Sequence, residues 1–183
     1  MAIQQTKGNL RLRGEIYGLS RKPYENDYLK TLSLTIKTAE GNRVPIKLGR
    51  WKNSSLQIKV KCEGVQETYQ VDEGEAIDEI TNTFNDGDTV FVICRPEVDK
   101  YHNEVEFYLS TIYISDTPID FEEGTFHETN DLSMSAIVSA KYNNSKQKVM
   151  FASYKGDTVE KEFVVEETPI KEYLSTLNVG DLF

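Results

Sequence analysis

Cysteine is scarce in this chain of 183 residues: there are two, Cys62 and Cys94, with no CxxC spacing. That argues against a zinc site, and it suits a reducing compartment such as the cytoplasm. Histidine is as rare, and His102 and His127 sit alone in KYHNE and TFHET without spaced ligand partners, so no metal site is expected. No apolar run exceeds about six residues, against the roughly 20 needed to cross a bilayer, so neither a membrane partner nor a signal peptide is expected. GxSxG, P-loop, GxGxxG and HExxH motifs are all missing. A catalytic constellation is therefore not in view, and the reading is of a non-enzyme without a cofactor. Asp86-Gly87-Asp88 resembles the start of a calcium loop but lacks the distal Glu, which makes it a turn.

What is present is divided by charge. Residues 1–61 carry 13 Lys and Arg against 4 Asp and Glu, or +9. Residues 62–183 carry the remaining 8 against 26, or −18, and the two parts sum to the net −9. Local field rather than net charge governs the approach of a polyanion, so the basic first third matters more than the total.

The chain also repeats itself. Ile77–Asp88, IDEITNTFNDGD, aligns without a gap on Ile170–Asp181, IKEYLSTLNVGD, with six identities in twelve. Ile77, Ile80 and Phe84 fall at helical spacing, as do Ile170, Tyr173, Leu174 and Leu177. Each helix runs into an Asn-x-Gly-Asp turn, where glycine tolerates the positive φ that ends a helix. Thr89–Cys94 then reads as a buried strand, whereas only Leu182 and Phe183 follow the second copy.

Three strands precede the first helix. In Asn9–Leu19 the inward positions are Leu10, Leu12 and Ile16, with Arg11, Arg13, Glu15 and Tyr17 outward, and Gly14 and Gly18 mark bends. Leu32, Leu34 and Ile36, then Val44, Ile46 and Leu48, give two more inward rows. A pair of strands around 56–71 extends this hairpin or is inserted. Strands at Thr89–Arg95 and Glu104–Ser115 follow the helix, and Asp116–Asp131 reads as an acidic linker. Asp131–Lys141, Gln147–Tyr154 and Thr158–Glu166 supply three further strands before the second helix.

The order strand, strand, strand, helix, strand, strand is similar to an OB-fold, and another small barrel or an α+β sandwich is the alternative. The expected architecture is mainly β. An OB-like five-stranded barrel with one helix spans 1–118, a linker 119–131, and a second, incomplete OB-like unit 132–183. Such a half-barrel leaves strand edges unpaired, which favours a fragment of a longer protein. Element order and charge distribution resemble tandem OB-fold single-stranded DNA-binding proteins of replication or phage type.

That resemblance implies a groove across the outer face of the first three strands, flanked by two loops. Binders of single strands combine aromatic platforms for bases with cations for phosphates. The outer face offers Arg11, Arg13, Tyr17, Lys37, Arg43 and Lys47; the first loop offers Arg21, Lys22, Tyr24 and Tyr28. The second loop offers Lys100 and Tyr101, and Trp51 follows the third strand, at the rim or in the core. The expected partner is single-stranded nucleic acid. The acidic second half, with Glu160, Glu162 and Glu166 on one strand face, suits a basic protein partner or competition with nucleic acid. A structural or assembly module that docks proteins, such as a virion component, is the competing reading.

Overall fold

The computed structural model describes residues 6–19, 22–49, 57–61, 69–141, 146–152, 157–164 and 168–183. Its contacts group into two units, residues 9–95 with 107–132, and residues 1–8, 96–106 and 133–183. The strands are β1 Gly8–Leu19, β2 Tyr24–Glu25, β3 Lys30–Ala39, β4 Asn42–Leu48, β5 Gln57–Lys61 and β6 Tyr69–Asp72. After helix α1 Glu73–Thr83 come β7 Thr89–Asp99, β8 Glu104–Ile114, β9 Thr129–Met134, β10 Ile137–Lys141, β11 Lys146–Ala152 and β12 Thr158–Val164. Helix α2 Thr168–Thr176 is the last element. No helix among the described residues is long and apolar enough to cross a membrane.

The larger unit is a closed five-stranded mixed barrel of OB-like form. β3 pairs antiparallel with β1 and β4, β1 pairs with β7, and a parallel contact of Lys47 in β4 with Tyr108 in β8 closes the ring. The three inward rows of the sequence meet in one core. Leu10, Leu12, Ile16, Leu32, Leu34, Ile36, Ile46 and Leu48 are buried, and Val44 packs against them half-buried. α1 adds Ile77, Ile80 and Phe84 to the same core, as their spacing predicts. β5 and β6 form an inserted hairpin that continues the parallel pairing along β8.

β1 serves two neighbours in succession. Its residues 10–15 pair with β7, and its residues from Glu15 onward pair with β3, with a bulge between Ile16 and Gly18. The crossover needs Gly14, because a Cβ there would stand 2.2 Å from the Lys37 carbonyl oxygen. At Gly18 the same Cβ would meet nothing within 4 Å.

The repeated phrase is a repeated piece of structure. In the barrel the Asn85 N–H donates to Asp88 Oδ2 at 2.8 Å, Gly87 has φ 93°, and the Gly87 N–H donates to the Ile16 carbonyl at 2.7 Å. The Ile16 N–H returns to the Asp88 carbonyl at 3.0 Å. In the other unit Asn178 donates to Asp181 Oδ2 at 2.7 Å and Gly180 has φ 97°. There Gly180 donates to the Val138 carbonyl at 2.8 Å, and Val138 donates to the Asp181 carbonyl at 3.0 Å. Two residues on, Gly14 pairs with Val90 and Ala136 exchanges two hydrogen bonds with Phe183. β10 thus stands to the second turn as β1 stands to the first.

The smaller unit holds a three-stranded antiparallel sheet, β10-β11-β12, around Ala136, Val138, Val149 and Phe151. One expectation changes here. Asp131–Lys141 is not one strand: β9 ends at Met134, β10 starts at Ile137, and β9 pairs with β1. Leu132 is consequently exposed while Ala136 and Val138 are buried. The chain changes sheets at Ser135, whose backbone N–H donates to the Lys7 carbonyl at 2.7 Å.

Gly14→Ala should destabilise the protein by roughly 1–3 kcal/mol, because the strands must part to admit the methyl group. Gly18→Ala should be neutral or stabilise by up to about 1 kcal/mol, since the methyl group meets open space at an ordinary φ and the unfolded chain loses freedom. Urea denaturation midpoints of the two variants measure the difference, and a neutral Gly14→Ala would show that β1 and β3 are not so close.

Candidate nucleic-acid interface

The outward row of β1 does not form one face. Arg11 and Arg13 lie opposite Ile93 and Phe91 of β7, whereas Tyr17 lies beyond the crossover beside β3 and β4. The reason is the handover at Gly14 and Glu15, which gives the two halves of β1 different neighbours. Around Tyr17 the strands bring Lys37 and Arg43 together as direct cross-strand partners. The Arg43 guanidinium sits 3.9 Å from the Tyr17 ring centroid, and Tyr17 remains 52% exposed. Lys47 lies farther along β4, opposite Ser33 on one side and Tyr108 on the other.

The loop between β1 and β3 holds Lys22, Tyr24 and Tyr28 in the same unit. Its shape comes from Asn26, whose Oδ1 accepts from the Tyr28 and Leu29 N–H groups at 2.9 and 2.8 Å. This is an asparagine turn, the local bonding that short amides offer a backbone. Lys30 at its base is pinned to Asp78 of α1 at 2.7 Å. With the backbone so held, Tyr24 and Tyr28 project outward, 61% and 72% exposed, rather than packing the loop down. Arg21 and Trp51 lie outside the described residues, so their expected roles are without a structural placement.

Residues 116–131, read as a linker, belong to the barrel unit, and Phe121 and Glu128 reach its strand β3. Lys37 Nζ stands 4.4 Å from the Phe121 ring centroid and is also paired with Glu40. Glu128 accepts hydrogen bonds from Thr38 Oγ1 and, at 2.6 Å, from Asn42 Nδ2. Lys37 is thereby reduced to 18% side-chain exposure. One ring, Phe121, and two carboxylates, Glu40 and Glu128, occupy one end of the cationic face.

Lys100 and Tyr101 occupy the tip of the β7–β8 hairpin, within the smaller unit and not the barrel unit. Lys100 pairs with Asp157 at 2.9 Å and lies 5.4 Å from the Tyr101 ring centroid. His102 is not the isolated histidine that the sequence suggests. Its Nδ1 lies 2.6 Å from Asp99 Oδ2, and Glu106 brings a third ligand-type atom within 4.8 Å of both. Asp99 also accepts from the Tyr101 and His102 backbone N–H groups at 2.9 and 3.3 Å. The three-residue spacing from Asp99 to His102 is the signal that could have revealed it. If these residues took a divalent cation, Asp99 would have to release the imidazole first.

Sequence reasoning also passed over Phe91, Tyr108 and Tyr113. The run Thr89–Cys94 reads as wholly buried, but only Thr89, Val90, Val92 and Cys94 are buried, the last three in the barrel core. Phe91 is outward and stacks on Tyr113, with centroids 6.3 Å apart and rings inclined by 11°. The alternation was visible and was masked by the apolar character of both sides. Cys94 itself is a buried free thiol pushed up to about 12 by burial, which makes it a poor nucleophile.

No protein-family model matches this chain, and no curated protein is significantly similar to it in sequence.

The Asp99–His102 pair makes a pH-dependent prediction. Hydrogen bonding to Asp99 raises His102 above its ordinary 6.5, and the bond to His102 lowers Asp99 below its ordinary 3.8. A raised histidine adds stability below its unfolded value and loses it as pH rises through the folded value; a lowered carboxylate loses its share as pH falls through its own. The pair should therefore hold the hairpin tip from the acid side of neutrality down to the titration of Asp99. In an NMR titration, Asp99→Asn should return His102 towards 6.5, and an unshifted midpoint would show that the pair does not form.

Proposed function

We propose that the barrel unit binds single-stranded nucleic acid, DNA in the first instance, without catalysing a reaction. The observation that carries this reading is the Tyr17–Arg43 pair, an exposed ring with a guanidinium 3.9 Å from its centroid. A base can stack on the open side of the ring while Arg43 meets a phosphate, and such stacking is tolerant of sequence. Tyr24 and Tyr28, held outward by the Asn26 turn, offer two further rings in the same unit. Arg11 and Arg13 have no ion pair with a described residue, so their field is available to a polyanion.

The smaller unit favours a different class of partner. Tyr173, Val179 and Leu182 are exposed on α2 and the turn that follows it. Glu160 and Glu162 stand on β12, where phosphate would be repelled. This composition suits protein docking, and it supports the assembly-module reading for that unit.

A fluorescent oligonucleotide of about 20 nucleotides tests the main reading by anisotropy across a salt series. A single strand should bind more tightly than duplex, with about 0.7 log units lost per decade of salt for each phosphate neutralised. Arg43→Ala should flatten that slope, while Tyr17→Ala should weaken binding by a stacked base, about 1–3 kcal/mol, with little change in slope. Phe121→Ala, which uncovers Lys37 while leaving its pair with Glu40, should bind equally well or better. No binding by the folded protein at low salt would sink the reading and leave protein docking in front.

A further inference from the structure

We propose that the barrel carries a second, separate base-stacking platform on β1, β7 and β8, which a longer single strand engages together with the Tyr17–Arg43 site. The inference rests on the nucleic-acid reading above and adds a subsite to it. Arg13 and Phe91 are direct partners across β1 and β7, so their side chains share a face. The Phe91 ring lies nearly parallel to Tyr113, a stacked ring pair outside the buried core. Four residues along β7 on the same face, the Arg95 guanidinium sits 5.8 Å from the Tyr108 ring centroid. Tyr108 is in turn the parallel-strand partner of Lys47 on β4. Cations and rings thus alternate across three adjacent strands.

Packing alone explains this face poorly. Elsewhere in the unit basic side chains meet acids, as Lys30 does with Asp78 and Lys37 with Glu40. Arg13 meets none among the described residues and stands beside a half-exposed ring pair instead. A guanidinium beside a stacked aromatic surface can hold a base and its phosphate at once. On the outward row of β1, Glu15 separates Arg13 from Tyr17. Four residues of strand put these two about 13 Å apart. A carboxylate between them repels the phosphate backbone, which makes two subsites rather than one continuous groove.

The distinguishing quantity is oligonucleotide length. The full chain is titrated with oligothymidylates of about 5 and about 20 nucleotides, lengths that bracket the site sizes of one OB-like unit. Arg13→Ala and the double variant Phe91→Leu with Tyr113→Leu are compared with Tyr17→Ala, each first shown to unfold at the normal urea midpoint. Loss of one stacked base corresponds to roughly a five- to hundredfold weakening. The β7-side variants should lose that much for the long strand and almost nothing for the short one, whereas Tyr17→Ala should weaken both. Arg13→Ala keeps the test open if the double variant unfolds, since it leaves the ring pair intact. Unchanged long-strand affinity in the β7-side variants, with Tyr17→Ala still impaired, overturns the second platform and leaves the first site standing. Equal losses at both lengths overturn it too, because the face is then one site. Failure of the wild type to bind either length removes the reading and the platform together.

Discussion

The barrel depends on one strand changing partners halfway along. β1 spends its first half on β7 and its second half on β3, and every other feature of the unit is placed by that handover. Its cost is steric. At Gly14 the backbones come so close that a single added carbon would overlap the Lys37 carbonyl oxygen. The gain is closure, since a sheet whose central strand is shared can curl until β4 meets β8, leaving no open edge along the ring.

The same device is written twice. In both units a turn glycine at positive φ follows the last helical residue by four positions, an Asp carboxylate holds the Asn N–H three residues back, and the turn grips one strand residue by a reciprocal pair of bonds. Ile16 and Val138 are those two residues, and both are buried. Each turn therefore fixes the register of the strand it touches. A slip of one residue would move every side chain of that strand to the other face. The Asn-x-Gly-Asp phrase is kept in both copies for a physical reason: the Asn supplies the N–H, the Gly the backbone angle, and the Asp the acceptor.

Charge acts on a finer scale than the sequence totals. Within the first third of the chain, Lys30 and Lys37 are spent on acids, while Arg43 is held against a ring and Arg11 and Arg13 have no ion partner among the described residues. The acidic segment after β8 lies on the barrel through Phe121 and Glu128 and covers part of the lysine surface. A polyanion reaching Lys37 must compete with groups that imitate its own, a ring and carboxylates. Arg11 and Arg43 remain exposed, and arginine pairs with both phosphates and rings where lysine serves as a point charge.

Period-two alternation by itself determined the inward rows of β1, β3 and β4, because a strand with one buried face has no other way to hide Leu12, Leu34 or Ile46. Helical spacing likewise determined α1, and the repeated turn was legible as a phrase. What only the tertiary structure decided is which strands neighbour which. Arg13 and Tyr17 share an outward row in sequence, yet the handover at Gly14 sends one towards Phe91 and the other towards Arg43. Leu132 and Val138 share an alternating run, yet the break after Met134 leaves one exposed and the other buried. Phe91 reads as core because its neighbours Val90 and Val92 are core, and the face it takes depends on Arg13 across the sheet. Local pattern says which side of a strand a residue takes; partners distant in sequence say what that side meets.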